Sequence, residues 1–180
     1  MKSEYKGSID GRGLTIGIVV ARFNWKITSR LLEGAKGALT ANGVTDDHIT
    51  TSMVPGSFEA PLIAKIMAES GRFNAIICLG AVIRGDTDHY EYIASQAAKG
   101  VAEAGFSSGI PVIFGILTTD TIDQAIDRSG GRGAEFVDKG LENRKPGLTD
   151  ETRPDQGNSG YSAGLVAIEM ANLICQIEEG

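Results

Sequence analysis

The chain has 180 residues, 42% apolar and 22% charged, with 24 glycines and five prolines, so it can bury a sizeable core and is not globally disordered. Its net charge of −6 and the scatter of its 17 basic residues argue against a nucleic-acid partner, whose binding draws on clustered cations. No run of ~18 consecutive apolar residues marks a membrane span.

From the N-terminus, residues 1–13 carry Lys2, Glu4, Lys6, Asp10 and Arg12 without an apolar core. They read as a tail rather than a secretory signal, and a cytoplasmic protein is expected. Four β-rich apolar runs follow: Thr15 to Ala21, Ile49 to Val54, Ala75 to Ile83 and Pro111 to Leu117. The first, third and fourth are continuous, as in strands covered on both faces.

Between the runs the apolar period is helical. Ile27 to Asn42 aligns Ile27, Leu31, Ala35, Ala38 and Leu39 and stops at Gly43, a natural left-handed cap. Ser57 to Ser70 aligns Leu62, Ile63, Ile66 and Met67, with Pro61 tolerated early. Thr87 to Ala104 aligns Ile93, Ala97 and Val101. Thr121 and Gln124 open a helix to Ser129 at capping-box spacing. The last helix, Tyr161 to Glu178, is expected to turn Val166, Met170, Leu173, Ile174 and Ile177 inward. Strands alternating with helices predict an α/β fold, a three-layer α/β/α sandwich around a parallel four-stranded sheet. The whole chain, residues 1–180, is expected to form one domain.

One stretch has no period. Residues 130–160 hold seven glycines, two prolines, five basic and six acidic residues, the composition of a solvated inserted loop. Cys78 and Cys175 sit in apolar surroundings and read as unpaired core residues. Two histidines and no Cys/His cluster leave no metal-ligand set.

In an open parallel sheet, ligands bind beyond the carboxyl ends of the strands. The segments that fall there are Ala21-Arg22-Phe23-Asn24-Trp25, Val54-Pro55-Gly56-Ser57-Phe58-Glu59, Arg84-Gly85-Asp86-Thr87-Asp88-His89 and Thr118-Thr119-Asp120. Aromatic rings, a carboxylate, an imidazole and backbone amides at helix starts suit a flat polar ring bearing hydroxyls and an anionic group. Each residue also has a plainer reading. Phe23 could cap the sheet edge beside Trp25, Glu59 and Arg128 could complement helix dipoles, and His89 could be a surface residue.

The stretches GIVVARFN (17–24), VPGSFEAPLIAK (54–65), LGAVIRGDTDHYEYI (79–93), PVIFGILTTDTIDQAIDR (111–128) and VAIEMANL (166–173) together resemble the lumazine synthase family. The resemblance implies a flavodoxin-like fold and a reaction in riboflavin biosynthesis. In it, 5-amino-6-ribitylaminouracil condenses with 3,4-dihydroxy-2-butanone 4-phosphate to 6,7-dimethyl-8-ribityllumazine, with no metal and no redox cofactor. By the same resemblance Phe23 stacks on the heterocycle, and Ser57, Phe58 and Glu59 bind the ribityl chain. Ala81, Val82 and Ile83 read the uracil edge through their backbone, and Asp86 and Thr87 offer amides to the phosphate, the Asp86 side chain pointing away. His89 moves protons, as an imidazole titrating near ~6.5 can. Phe114 and Arg128 enter the site from a neighbouring subunit, Arg128 binding the phosphate.

The family's Gly-Asn-Lys-Gly stretch is here Gly157-Asn158-Ser159-Gly160. The phosphate-site lysine is replaced by an uncharged serine, so Arg128 acts alone or with a basic residue of the insertion such as Arg132 or Lys139. The resemblance also implies a homo-oligomer. Members with extra residues between the last two helices stop at pentamers, so a pentamer or decamer is expected rather than a 60-subunit shell. The alternatives are a flavin- or lumazine-binding paralogue without turnover, or a shell-forming one.

Overall fold

The computed structural model describes residues 4–131 and 157–179. Most of the inserted loop, including Arg132 and Lys139, lies outside those residues. In chain order the elements are β1 (Ile16–Ala21), α1 (Trp25–Ala41), β2 (Ile49–Val54), α2 (Ala60–Glu69), β3 (Ala75–Ile83), α3 (His89–Ser108), β4 (Val112–Thr119), α4 (Ile122–Arg128) and α5 (Ser159–Glu178). A short 3-10 turn, Asp46–His48, leads into β2. The strands form one parallel sheet in the order β2-β1-β3-β4. The fold is the expected flavodoxin-like α/β/α sandwich.

Alternation along the central strands feeds two cores. Ile16, Ile18 and Val20 of β1 and Ile77, Leu79 and Ala81 of β3 pack with Ile27, Leu31, Ala35 and Leu39 of α1 and Ala167, Ile168 and Ala171 of α5. Val19 and Ala21, with Ile76, Cys78 and Val82, face Ala60, Ala64 and Met67 of α2 and Ala97 and Val101 of α3. Burial pushes the Cys78 thiol up to about 12, which keeps it an unreactive apolar side chain. Both cysteines are free.

The expected faces of α2 and α5 are corrected. Leu62 and Ile66 are exposed, and so are Val166, Met170 and Ile177; Leu173 and Ile174 are half-buried. The inward face of α5 is instead a stripe of small residues, Gly160, Ala163, Gly164, Ala167 and Ala171, with Ile168. It lies so close to α1 that a Cβ at Gly160 would strike the Leu31 carbonyl, and one at Gly164 would meet the Ala35 carbonyl at 2.9 Å. By composition α5 is long and apolar enough to cross a membrane, but this stripe is packed on α1. Gly160→Ala puts a methyl against rigid backbone, so a loss of at least about 1–3 kcal/mol of stability is expected. Thermal unfolding checks it: an unchanged midpoint would mean that the helices can separate freely.

β4 is the edge strand beside β3 and, as expected, is covered on both faces: Ile113 and Leu117 pack into one core and Val112 and Ile116 into the other, while Phe114 is left exposed. The strand begins after Pro111, which has no N–H to donate, and runs on through Thr118 and Thr119, paired with Val82 and Ile83. The tail is held against α5. Asn172 donates to the Ser8 and Asp10 carbonyls, each at 2.9 Å, and Gln176 to the Lys6 carbonyl at 2.9 Å, so α5 straps it down.

Candidate active site

β1 pairs with β2 on one side and β3 on the other, so the chain leaves β1 in both directions. That reversal opens a crevice at the carboxyl ends of β1 and β3. A cavity of about 480 Å³ lies there. Nine of the residues expected at the site line it: Phe23 beyond β1; Ser57, Phe58 and Glu59 beyond β2; Ala81, Val82 and Ile83 at the end of β3; Thr87 and His89 at the start of α3.

Local structure explains their presentation. Asn24 adopts a left-handed conformation, φ 59°. Its side-chain amide donates to the Ala81 carbonyl at 2.9 Å, and its own carbonyl accepts from Ile27 and Thr28 at 2.8 and 3.1 Å. The turn after β1 is thereby fixed to the end of β3. Phe23, whose N–H donates to the Pro55 carbonyl at 3.0 Å, is left 70% exposed, a ring face without a protein partner and available for stacking. The exposed ring is not the sheet-edge cap of the plainer reading.

The segment expected to start α2 at Ser57 is a turn, and the helix begins at Ala60 with Glu59 at its N-cap position. Pro61 fits that first turn, where its missing N–H costs nothing. The Glu59 side chain makes no capping bond. It lies beside Gly56, where a Cβ would sit 3.1 Å from Oε2. Its carboxylate therefore remains able to accept hydroxyl hydrogen bonds. Ser57 is buried, its hydroxyl filling the space above Gly80 that a Cβ would need.

α3, expected from Thr87, begins at His89, which is exposed on the cavity wall. Arg84 anchors the loop before it. Its N–H donates to the Thr119 carbonyl at 2.9 Å, its guanidinium pairs with Asp120 at 2.9 Å and lies 5.1 Å from the centre of the Tyr90 ring. Pro55, Gly56, Gly85, Tyr90 and Ile93 complete the lining. Ile93 is read from the sequence as part of the apolar stripe of α3, and Tyr90, three residues before it, carries no separate signal of a ligand role.

Three expected residues lie outside this cavity. Asp86 is exposed and not part of the lining, although Gly85 and Thr87 on either side are. Phe114, 43% exposed on the edge strand, lines a separate open groove of about 500 Å³ between β4 and α5, together with Ser159, Ser162 and Val166. Arg128 is exposed at the last turn of α4, whose predicted capping box is present. No lysine or arginine among the described residues lines the cavity. Among the described residues, no three His, Cys, Asp or Glu side chains converge to hold a metal ion.

Fold and crevice together define a protein of the doubly wound α/β class with a cavity at its switch point. The family model for 6,7-dimethyl-8-ribityllumazine synthase matches residues 13–174. The chain belongs to that family, whose chemistry is a step of riboflavin biosynthesis.

Proposed function

We propose that this chain catalyses the family's reaction, joining 5-amino-6-ribitylaminouracil to 3,4-dihydroxy-2-butanone 4-phosphate and releasing 6,7-dimethyl-8-ribityllumazine, phosphate and water. The observation that carries the reading is the convergence of Phe23, Glu59, His89 and the end of β3 on one cavity. Phe23 stacks on the pyrimidine, the backbone of Ala81–Ile83 reads its edge, and Ser57, Phe58 and Glu59 hold the ribityl chain. His89 then stands where the amine and ketone meet. Schiff-base formation, phosphate loss and ring closure each move a proton between nitrogen, oxygen and carbon, and one imidazole within reach serves several such steps. Holding two fragments as near-attack partners supplies roughly 7–11 kcal/mol of the acceleration. Incubating the purified protein with both substrates tests the proposal through the fluorescence of the lumazine. Binding of the product without turnover would point to the flavin- or lumazine-binding alternative. Neither binding nor turnover would point to a shell-forming protein, which has no need of an open ring face at Phe23.

The second substrate carries a phosphate, yet among the described residues no lysine or arginine lines the cavity. This supports a site completed by the β4–α5 side of an adjacent subunit, with Phe114 closing over the ring and Arg128 binding the phosphate. The exposed Phe114, Val166 and Met170 are apolar surface that such a neighbour would cover. The length and composition of the insertion between α4 and α5, rich in glycine, proline and balanced charge with no apolar period, favour pentamers or face-to-face decamers over stacked shells. Light scattering is expected to give a particle five or ten times the 18.9 kDa subunit mass. A particle of about 60 subunits would show that the insertion is accommodated within a shell.

A further inference from the structure

Arg128 and Ser159 stand on opposite sides of the insertion in sequence, yet the fold brings their backbones side by side. An isolated antiparallel pairing joins Ser129 to Asn158, and the Gly130 N–H donates to the Gly157 carbonyl at 3.2 Å. In that register Arg128 stands opposite Ser159.

A single side chain holds the register. The Asn158 amide nitrogen donates to the Arg30 carbonyl at 3.0 Å and the Ser129 carbonyl at 3.1 Å. Its amide oxygen accepts from the Gly160 N–H at 2.8 Å and the Tyr161 N–H at 3.3 Å. Both amide hydrogens and both lone pairs are thus used, and α1, the end of α4 and the start of α5 meet on one carboxamide. Gly34 leaves room for it, since any Cβ there would strike the Asn158 side chain. On the α4 side, Ser129 is buried and its hydroxyl donates to the Ile126 carbonyl at 3.0 Å. The Gly131 N–H donates to the same carbonyl at 3.0 Å, and the Arg30 guanidinium bonds to the Gly131 carbonyl.

We propose that Asn158 is a positioning residue for the phosphate subsite: it touches no substrate, but fixes Arg128 and Ser159 as one unit facing the adjacent subunit's cavity. The inference rests on the reading of Arg128 given above. The role needs a carboxamide. Aspartate and serine both keep an oxygen able to cap α5, but neither carries the two donors that hold the Arg30 and Ser129 carbonyls. A displacement of the order of 1 Å at a contacting group costs up to about a hundredfold.

The test is steady-state kinetics of Asn158→Ser and Asn158→Asp, each alone and combined with Arg128→Ala. Asn158→Ser is expected to raise KM for the butanone phosphate roughly tenfold or more, with kcat and the pyrimidine KM nearly unchanged. In the Arg128→Ala background it should add far less than it costs alone, because the charged residue it positions is gone. Asn158→Asp, which sets a carboxylate against two carbonyls, should show the larger effect; where it fails to fold, Asn158→Ser carries the comparison. Equal losses for both substrates, or an effect that adds fully to Arg128→Ala, would make Asn158 a structural cap alone and overturn the proposal. A phosphate-specific Arg128→Ala effect with normal Asn158→Ser kinetics would overturn only the positioning role. If Arg128→Ala itself leaves the phosphate KM unmoved, the reading of Arg128 fails and the proposal falls with it.

Discussion

His89→Ala is expected to lower kcat by roughly ten- to a thousandfold while leaving both KM values close to wild type. His89 is the one imidazole on the cavity wall, at the first residue of α3; His48, at the end of a 3-10 turn before β2, is remote from the carboxyl edge of the sheet. Alanine removes the proton carrier but leaves the ring-stacking face of Phe23, the carboxylate of Glu59 and the backbone of β3 in place. Binding should therefore survive, and the loss stays at or below the usual range of a single acid–base group because proximity still operates. His89 is also exposed, so the substitution opens no cavity and should not lower the thermal midpoint. An unimpaired kcat at saturating substrates would remove the catalytic assignment.

The site was legible in the sequence because of where the strands stop. β2 and β3 occur with the predicted bounds, Ile49–Val54 and Ala75–Ile83, since β-rich runs ended by Pro-Gly or Arg-Gly leave little freedom in strand ends. The segments following them were thereby placed at the ligand edge before any coordinates. α1 was equally clear: Ile27, Leu31, Ala35, Ala38 and Leu39 are all buried, one stripe on an otherwise polar helix.

The faces of α2 and α5 were not legible. Both carry more large apolar residues than the core accepts, and periodicity cannot tell a stripe facing the sheet from one facing another subunit. In α5 the sheet-side layer is filled by glycine and alanine because α1 approaches closely, while Val166 and Met170 remain outside. The start of α2 was misread for a related reason. Ser57 opens the expected helix and Glu59 falls in its first turn, yet neither caps α2: Ser57 fills the space above Gly80 and Glu59 lies beside Gly56. Residues drawn away from a local structural use are those left able to meet a ligand.

Arg128→Ala is expected to raise KM for the butanone phosphate far more than for the pyrimidine, a loss of about 2 kcal/mol or more for a charge-assisted contact. The effect should be large because Ser159 supplies no second charge. Equal effects on both KM values would assign Arg128 a structural part instead, as a cation at the last turn of α4. The same variant tests where the arginine acts. It lies outside its own subunit's cavity, at the end of α4, whereas His89 lies within it. If Arg128 serves the adjacent subunit, assemblies formed from equal amounts of Arg128→Ala and His89→Ala chains contain sites with both residues intact. About a quarter of sites would then regain wild-type turnover, from random assortment around a closed ring. If His89 and Arg128 serve the same subunit's site, every site in the mixture lacks one of them, and the mixed assembly would be no more active than its two parents.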